Sequence, residues 1–182
     1  NLAELVAVCD INENSADETG NKFNSKIFYN IDELLSANLD LDVISICSPN
    51  GLHAEHSLKA LEFQKHVVCE KPMGLSKDNC EKVIFKSLQM SKNVFCVMQN
   101  RYSPVSQWLK SIVEDCILGQ IYSVHVNCAW NRDDRYYQPE NWHGKLDLDG
   151  GPLYTQFSHF VDLLFWLFGP LKVENQVFFN HN

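Results

Sequence analysis

The chain has 182 residues, of which 45% are hydrophobic and 21% are charged, an ordinary composition for a globular protein of one or two domains. Its net charge of −8 argues against a nucleic acid or an anionic membrane as the main partner, because both need a basic surface. No apolar run reaches the roughly 18 residues of a transmembrane helix, and the first residues do not resemble a signal peptide.

Residues 1–100 alternate predicted strands and helices. Short apolar runs bounded by turn residues predict strands over residues 5–9, 26–30, 43–47, 66–72 and 93–100. Helical apolar spacing and capping residues predict helices over residues 12–24, 31–39, 53–65 and 77–91. This alternation is typical of an α/β domain whose mostly parallel sheet is covered by helices on both faces.

Residues 101–182 follow a different pattern, that of the start of an α+β domain. The predicted order is a helix, a strand, a polar and aromatic loop, a helix and a strand, over residues 103–117, 121–131, 132–151, 153–169 and 172–180. The apolar face of the first of these helices consists of Val105, Trp108, Leu109 and Ile112. We therefore predict two domains, residues 1–100 and residues 101–182.

Polar residues follow the predicted strands of the first domain. Ligands bind outside the carboxyl ends of the strands in parallel sheets, so these residues are candidates for a binding site. The strand-end candidates are Asp10, Ser48, Pro49, Asn50, Glu70, Lys71, Pro72, Gln99 and Asn100.

The G-x-G-x-x-G turn that normally opens a dinucleotide-binding domain does not occur in the sequence. The run ELVAVCD instead reads as the second strand of such a domain. Its terminal Asp10 could accept hydrogen bonds from ribose hydroxyls and repel a 2′-phosphate, or it could simply stabilise a turn. We therefore expect a longer protein, of which this chain begins after the phosphate-binding turn and ends early in the second domain.

Five features then occur in a characteristic order: Asp10 at a strand end, SPNGLH at 48–53, EKP at 70–72, NRY at 100–102 and GGPLYTQFSHFVDLLFWLFG at 150–169. In this order they resemble the glucose–fructose oxidoreductase and inositol dehydrogenase family (Gfo/Idh/MocA). The resemblance implies a Rossmann-type doubly wound parallel sheet followed by an α+β substrate domain with an open sheet. It also implies a homo-oligomer at full length.

The resemblance implies an oxidoreductase that moves a hydride between a nicotinamide cofactor and a secondary hydroxyl of a sugar, cyclitol or nucleotide sugar. The acid at Asp10 favours NAD over NADP. The implied cofactor-binding residues are Asp10, Ser48, Pro49, Asn50, His53, Glu70, Lys71, Pro72 and Asn100. The implied substrate contacts are Arg101, Tyr102, Trp130, Arg132, Tyr136, Thr155, Gln156 and His159.

Lys71 and His159 are the catalytic residues that the resemblance implies. Oxidation of an alcohol requires a base for the hydroxyl proton, and the imidazole of His159 titrates near neutral pH. Lys71 can hydrogen-bond the same oxygen and stabilise its developing negative charge. Glu70 can orient Lys71, and Pro72 ends the strand; the Lys71–Pro72 bond is often cis in the family.

Many family members carry an Asp four residues before the histidine, where this chain has Thr155 followed by Gln156. A subset that acts on nucleotide-linked sugars, including UDP-N-acetylglucosaminuronate 3-dehydrogenases, is more similar here. In the loop, Arg132 and Arg135 could bind a diphosphate. Its aromatic residues could stack on a base or a sugar, or could simply pack the loop.

Two other functions fit the same residues. One is a glycoside hydrolase that uses NAD catalytically, and the other is a cofactor-binding sensor without activity. The H-x-x-H pair His53 and His56 lacks a third ligand, which favours a helix surface or cap over a metal site. The seven scattered cysteines lack C-x-x-C pairs, so we expect no metal, and free thiols that act as small buried hydrophobes in a reducing cytoplasm.

Overall fold

The computed structural model describes residues 3–177. They form two compact units, one ending at Cys96 and the other beginning at Val97. This division falls slightly before the predicted boundary between residues 100 and 101. Among the described residues, no helix combines the length and the apolar character that crossing a membrane requires.

The first unit alternates strands and helices in the predicted order. The strands are β1 (Ala7–Cys9), β2 (Lys26–Phe28), β3 (Val43–Ile46), β4 (His66–Cys69) and β5 (Val94–Cys96). The helices are α1 (Glu13–Phe23), α2 (Ile31–Ser36), α3 (His53–Glu62) and α4 (Lys77–Gln89), and a short 3-10 helix (Asn50–Leu52) precedes α3. Each strand is shorter than predicted: β1 begins two residues later, and β2 to β5 end earlier than the sequence indicated.

Side-chain caps fix where these helices begin. The side chains of Asn12, Asn30 and Ser76 each accept a hydrogen bond from a backbone amide in the first turn of α1, α2 and α4, respectively. Gly20 lets α1 approach β2 closely, since a Cβ atom at this position would lie only 2.3 Å from Cγ1 of Ile27. Local sequence chemistry therefore determines both the helix starts and the contact of α1 with β2.

The strands of this unit are parallel, as predicted, but they form two sheets within the described residues. β1 pairs with β2 in one sheet, and the other has the order β3-β4-β5. The register pairs Ile46 of β3 with Cys69 of β4, and Cys69 with Cys96 of β5. The carboxyl ends of these three strands are therefore side by side.

One face of the β3-β4-β5 sheet is buried. Ile44, Ile46 and Val67 join Leu61 of α3 and Val83 of α4 in the main apolar cluster, in which the last three residues have no solvent exposure. The opposite face is more open, since Val43 is 49% exposed and Phe95 is 58% exposed. Within the described residues, α3 and α4 therefore pack on the buried face of this sheet.

The second unit contains a 3-10 helix (Gln99–Tyr102), α5 (Pro104–Glu114), α6 (Leu146–Asp149), α7 (Pro152–Thr155) and α8 (Ser158–Phe168). The single helix predicted over residues 153–169 is two helices. The break occurs because the amide of Phe157 bonds to the carbonyl of Pro152, five residues back, instead of continuing the α-helical pattern. The short helix α6 lies in the segment that was predicted to be a loop.

The predicted strand over residues 121–131 is also absent from the structure, where this segment has no ladder partner among the described residues. Alternating apolar residues favour an extended backbone, but a strand also needs a neighbour to pair with. The predicted strand over residues 172–180 has no regular structure through residue 177, and its last residues lie outside the described part.

The predicted apolar face of α5 is largely exposed, with Val105 at 71% and Trp108 at 63% exposure. α5 packs against α8 through a different residue. The Nζ of Lys110 donates to the carbonyl of Trp166 at 2.7 Å and lies 5.3 Å from the centre of its ring. A cation therefore contributes to the packing of α5 against α8.

The seven cysteines are free thiols, as predicted. Cys69 is buried, and burial is the main cause that raises the pKa of its thiol to about 12, so it remains protonated at neutral pH. Cys47 and Cys116 are exposed, and the remaining four are half-buried. The prediction of buried thiols therefore holds fully for Cys69 and is wrong for Cys47, just beyond the last residue of β3, and for Cys116, just beyond α5.

Candidate active site

The strand-end segments 48–50 and 70–72 lie next to each other in the first unit. β3 and β4 are neighbours, and the amide of Glu70 donates to the carbonyl of Ile46 at 2.9 Å, which extends the pairing past the end of β4. Ser48 and Lys71 are half-buried, whereas Asn50 is only 4% exposed. These segments form one continuous polar edge, as expected for the carboxyl ends of parallel strands.

The turn after β4 is built from local hydrogen bonds. The carbonyl of Glu70 accepts from Sγ of Cys69 at 3.1 Å, and Oε2 of Glu70 accepts from the backbone amide of Lys71 at 3.3 Å. The Lys71–Pro72 peptide bond is cis. The Glu70 carboxylate thus fixes the backbone at Lys71. The predicted role of Glu70 in orienting the Lys71 side chain stays a prediction.

His53 connects the two strand-end segments. Its Nδ1 lies 2.6 Å from the carbonyl oxygen of Pro72, and its Nε2 lies 2.7 Å from the carbonyl oxygen of Ser48. Because the residue is 1% exposed, its ring is enclosed by the protein. The H-x-x-H spacing therefore reflects a buried structural contact, while a direct contact of His53 with a cofactor stays a prediction.

His56, one turn further along α3, makes a separate contact with the first segment. Its Nδ1 lies 3.0 Å from Oγ of Ser48. Burial lowers the pKa of His56 from its ordinary value of 6.5, whereas the neighbouring Glu55 carboxylate acts in the opposite direction. The folded chain therefore holds this imidazole in its neutral form more strongly than the unfolded chain does.

We expect the stability of the chain to fall at acidic pH through His56. A depressed folded-state pKa contributes stability that is present above pH 6.5 and lost as the pH falls further. Urea unfolding at several pH values should show this decline, and His56→Gln should reduce its slope. The exposed His125 provides the control variant His125→Gln; an unchanged slope in His56→Gln would assign the effect to another group.

Asp10 follows β1 directly, and its position fits both of the roles considered for it. Oδ1 accepts a hydrogen bond from the amide of Asn12 at 2.8 Å, which stabilises the turn into α1. The residue is nevertheless exposed, so its carboxylate can accept further hydrogen bonds from a ligand. The turn contact explains how a short acidic side chain is held at the strand end.

His159, in the first turn of α8, is a half-buried residue of the second unit. Its Nε2 lies 3.5 Å from Nε2, the side-chain amide nitrogen, of Gln99, which is the first residue of the 3-10 helix. An amide nitrogen only donates, so in this contact the Nε2 atom of a neutral imidazole acts as the acceptor. In this contact the Nε2 atom of a neutral His159 can accept a hydrogen bond.

Arg101 lies two residues beyond Gln99 and forms an ion pair with Asp162 of α8. Its Nε donates to Oδ2 of Asp162 at 2.7 Å and its Nη2 donates to Oδ1 at 2.5 Å, a bidentate geometry. The guanidinium was predicted to contact substrate, but the structure uses two of its donors to fasten the 3-10 helix to α8. The same connection keeps Gln99 beside His159.

We expect Asp162→Asn to destabilise the second unit by about 1–3 kcal/mol, because it removes charge-assisted hydrogen bonds to a carboxylate that is 12% exposed. The matched control is Asp133→Asn, which removes the exposed pair of Asp133 with Arg135 and should change the stability much less, because solvent screens this pair. Denaturant unfolding of the two variants provides the comparison. Equal losses in the free energy of unfolding would mean that the Arg101–Asp162 pair stabilises the second unit no more than a surface ion pair does.

Asp149 organises the aromatic loop, although the sequence analysis did not select it. It is 2% exposed, and its carboxylate accepts from the amides of Gly144 at 2.6 Å and Gly151 at 3.1 Å. Gly150 and Gly151 both have positive φ values, of 76° and 88°, which L residues with side chains rarely adopt. The run D-G-G at 149–151 could have indicated this role of Asp149, since an acid beside two glycines often marks a tight, hydrogen-bonded turn.

Arg132 lies among the aromatic residues of this loop. Its guanidinium carbon is 5.1 Å from the ring centre of Trp130 and 4.5 Å from that of Tyr136.

His143 belongs to the same group of rings. Its ring is 4.1 Å from that of Tyr136, and burial lowers the pKa of this imidazole. Burial is also the main cause that raises the pKa of Tyr136. Arg135, the other arginine predicted to bind a diphosphate, pairs with its neighbour Asp133.

The loop and the α7–α8 region are joined through Gln156. Its Nε2 lies 3.4 Å from the hydroxyl oxygen of Tyr136, and its Oε1 accepts from Oγ1 of Thr155. Thr155 and Gln156 are 7% and 8% exposed. The structure therefore brings Arg132, Tyr136, Thr155 and Gln156 into one cluster, as a shared substrate site would require.

The remaining predicted site residues differ in exposure. Asn100 is half-buried, whereas Tyr102 is 80% exposed and Trp130 is 55% exposed. The part of the chain that the structure describes contains no group of three or more His, Cys, Asp or Glu residues arranged to hold a metal ion. The sequence marked Gln99 only as a strand-end candidate and gave no role to Asp162, and the partners of both residues lie about sixty residues away in the chain.

Comparison with known proteins adds independent findings. A family model described as an oxidoreductase family with an NAD-binding Rossmann fold matches residues 1–98, and a Gfo/Idh/MocA C-terminal domain matches residues 106–179. The chain is 32% identical over 169 residues to glucose-6-phosphate 3-dehydrogenase of Bacillus subtilis, covering 91% of this chain and 47% of that protein. It is also 32% identical over 178 residues to D-glucoside 3-dehydrogenase of Escherichia coli, covering 96% and 49%.

A solved structure is also similar to the chain. The WlbA dehydrogenase of Bordetella pertussis, in complex with NADH and UDP-GlcNAcA, superposes with a TM-score of 0.88 at 33% identity, covering 92% of this chain and 52% of that one. The chain spans about half the length of the curated relatives it matches. The first family model alone matches more than half of the chain, and the chain therefore belongs to the Gfo/Idh/MocA oxidoreductase family, with an NAD-binding Rossmann fold over residues 1–98.

Proposed function

We propose that the protein is an NAD-dependent dehydrogenase that oxidises a secondary hydroxyl of a sugar or nucleotide sugar, at position 3 of a hexopyranose ring. The observation that carries the proposal is the turn at Glu70–Lys71–Pro72. It holds a cationic side chain at the carboxyl end of a parallel strand, where this fold binds ligands. The similar proteins named 3-dehydrogenases support the position of the hydroxyl.

The residues at the strand ends fit a dinucleotide. Asp10 is exposed directly after β1, and its carboxylate can accept from the ribose hydroxyls of NAD while repelling the 2′-phosphate of NADP. Ser48, Pro49 and Asn50 form a compact turn into the 3-10 helix that could line the cofactor. The bound cofactor would supply a hydride acceptor, which no protein side chain can provide.

The remaining chemistry belongs to two side chains, one in each unit. We assign His159 as the base: its Nε2 takes the proton of the substrate hydroxyl as the C–O bond becomes a carbonyl. We assign Lys71, in the first unit, as a hydrogen-bond donor that would stabilise negative charge on the reacting oxygen. The contact with Gln99 supports this role of His159, because it leaves Nε2 as the proton-accepting nitrogen.

The cluster around Arg132 would bind the part of the substrate that does not react. A guanidinium flanked by Trp130 and Tyr136 provides charge for a phosphate or carboxylate and flat surfaces for a sugar or base. The similarity to a dehydrogenase solved with UDP-GlcNAcA supports a nucleotide sugar with an acidic group.

The test is a screen of the whole protein with NAD against UDP-GlcNAcA, glucose 6-phosphate and a simple glucoside, followed by NADH absorbance. We expect NADH to form with at least one of the three. Cleavage of the glucoside without net NADH would instead favour a hydrolase, and binding of NAD without turnover on any substrate would favour a sensor.

A further inference from the structure

His53 lies between the two strand-end segments and contacts a backbone carbonyl of each. It is the first residue of α3, and the next residue, Ala54, is 5% exposed, so the helix start is fixed by packing. From there the ring places Nδ1 2.6 Å from the carbonyl oxygen of Pro72 and Nε2 2.7 Å from that of Ser48. One ring thus spans the segments that follow β3 and β4.

Both partners of the ring are carbonyl oxygens, and a carbonyl oxygen can only accept a hydrogen bond. A neutral imidazole carries a single N–H, so with this geometry its other nitrogen would direct a lone pair at a carbonyl oxygen. With 1% exposure, water cannot relieve that repulsion. An imidazolium carries two N–H groups and satisfies both oxygens through charge-assisted bonds, which are short, as these are.

We propose that His53 is a positioning residue that acts as a doubly protonated bridge. Its two N–H groups tie the carbonyl of Ser48 to the carbonyl of Pro72, and so hold the segment that carries Lys71 in register with segment 48–50. The bridge itself stands independently of the catalytic assignment. Only its effect on turnover, through the placement of Lys71, rests on the proposed function.

The protonation of the ring can be measured directly. Nitrogen-15 NMR of the full chain at pH 7, with His53 assigned by the loss of its signals in a variant, distinguishes protonated from unprotonated ring nitrogens. We expect both nitrogens of His53 to carry a proton. One unprotonated ring nitrogen would overturn the proposal, and this measurement on the unsubstituted protein does not depend on whether any variant folds.

Two substitutions separate the arms of the bridge. The amide nitrogen of Asn reaches approximately the position of Nδ1, so His53→Asn should keep the bond to Pro72 and lose that to Ser48. His53→Gln should do the reverse. We expect backbone amide shifts to change mainly over residues 48–52 in the first variant and over residues 70–74 in the second.

The matched control is His56→Gln on the same helix, which removes a contact with Ser48 but does not touch the other segment. It should leave the amide shifts of residues 70–74 unchanged. If His56→Gln moves those signals as much as His53→Gln does, the bridge has no special role. If neither His53 variant alters its predicted segment, the proposal is wrong.

Turnover is the final measurement, made at a temperature where the variant is folded. A residue that only stabilises the fold would not affect turnover under this condition. Displacement of Lys71 in His53→Gln should lower kcat/KM by up to about a hundredfold. Native turnover in a variant that has lost the 70–74 bond would contradict the positioning role. Absence of turnover in the unsubstituted protein would instead refute the proposed function and leave the NMR result standing.

Discussion

Lys71→Ala should lower kcat by roughly 10²–10³-fold while NAD binding is retained, because it removes a charged donor that acts on the oxygen whose negative charge develops during hydride transfer. The Lys71 amide is already engaged by the Glu70 side chain, so the backbone of the turn should survive the substitution. Steady-state kinetics on the substrate found in the screen, together with NAD titration by fluorescence, provide the measurement.

Lys77→Ala is the matched control for this variant. Lys77 begins α4, and its side chain is 87% exposed and forms a surface ion pair with the carboxylate of Glu81. Loss of this lysine should leave kcat near its native value. A similar fall in both variants would mean that net charge, and not the position of Lys71, determines the rate.

His159→Ala should lower kcat by roughly 10²–10⁴-fold, since it removes the base that takes the hydroxyl proton. The loss should affect turnover more than cofactor affinity, because His159 belongs to the second unit and the proposed NAD contacts belong mainly to the first. Kinetics and NAD titration of the same preparation separate the two quantities.

His125→Ala is the control, since His125 is an exposed histidine of the same unit. It should turn over substrate at the native rate. If His159→Ala also keeps a near-native rate, the base lies elsewhere and the assignment of Nε2 fails.

The strand ends could be predicted because they depend on local chemistry. An apolar run such as residues 43–47, stopped by Ser48, Pro49 and Asn50, shows where a strand finishes whatever its neighbours are. Capping is equally local, and Asn12 and Ser76 begin their helices as expected. For this reason the motif positions and the family were readable before any coordinates.

Pairing over long distances could not be predicted in the same way. Residues 121–131 alternate like a strand, but alternation cannot supply a partner, and none is found within the described residues. Arg101 was predicted to contact substrate because it follows the strand end at Asn100. Its ion pair with Asp162 was not predictable, because the two residues are 61 positions apart and no local pattern joins them. His53 likewise suggested a surface or cap position until the carbonyls of Ser48 and Pro72 were located around it.

The helix break before α8 has the same origin. The run over residues 153–169 is uniformly compatible with a helix, and Pro152 is acceptable at its first turn. The actual break depends on one backbone bond, from the amide of Phe157 to the carbonyl of Pro152. Since α8 begins after this break, the direction of His159 is set by a hydrogen bond that residue preferences do not reveal.

The central claim is direct hydride transfer from the sugar carbon, and isotope transfer tests it most directly. The whole protein is incubated with NAD and with substrates that carry deuterium on the carbon of the 3-hydroxyl, and the NADH is analysed by mass spectrometry. We predict one deuterium per NADH formed, together with a 3-keto product. NADH without deuterium, or no NADH from any of the deuterated substrates, would contradict the proposed reaction.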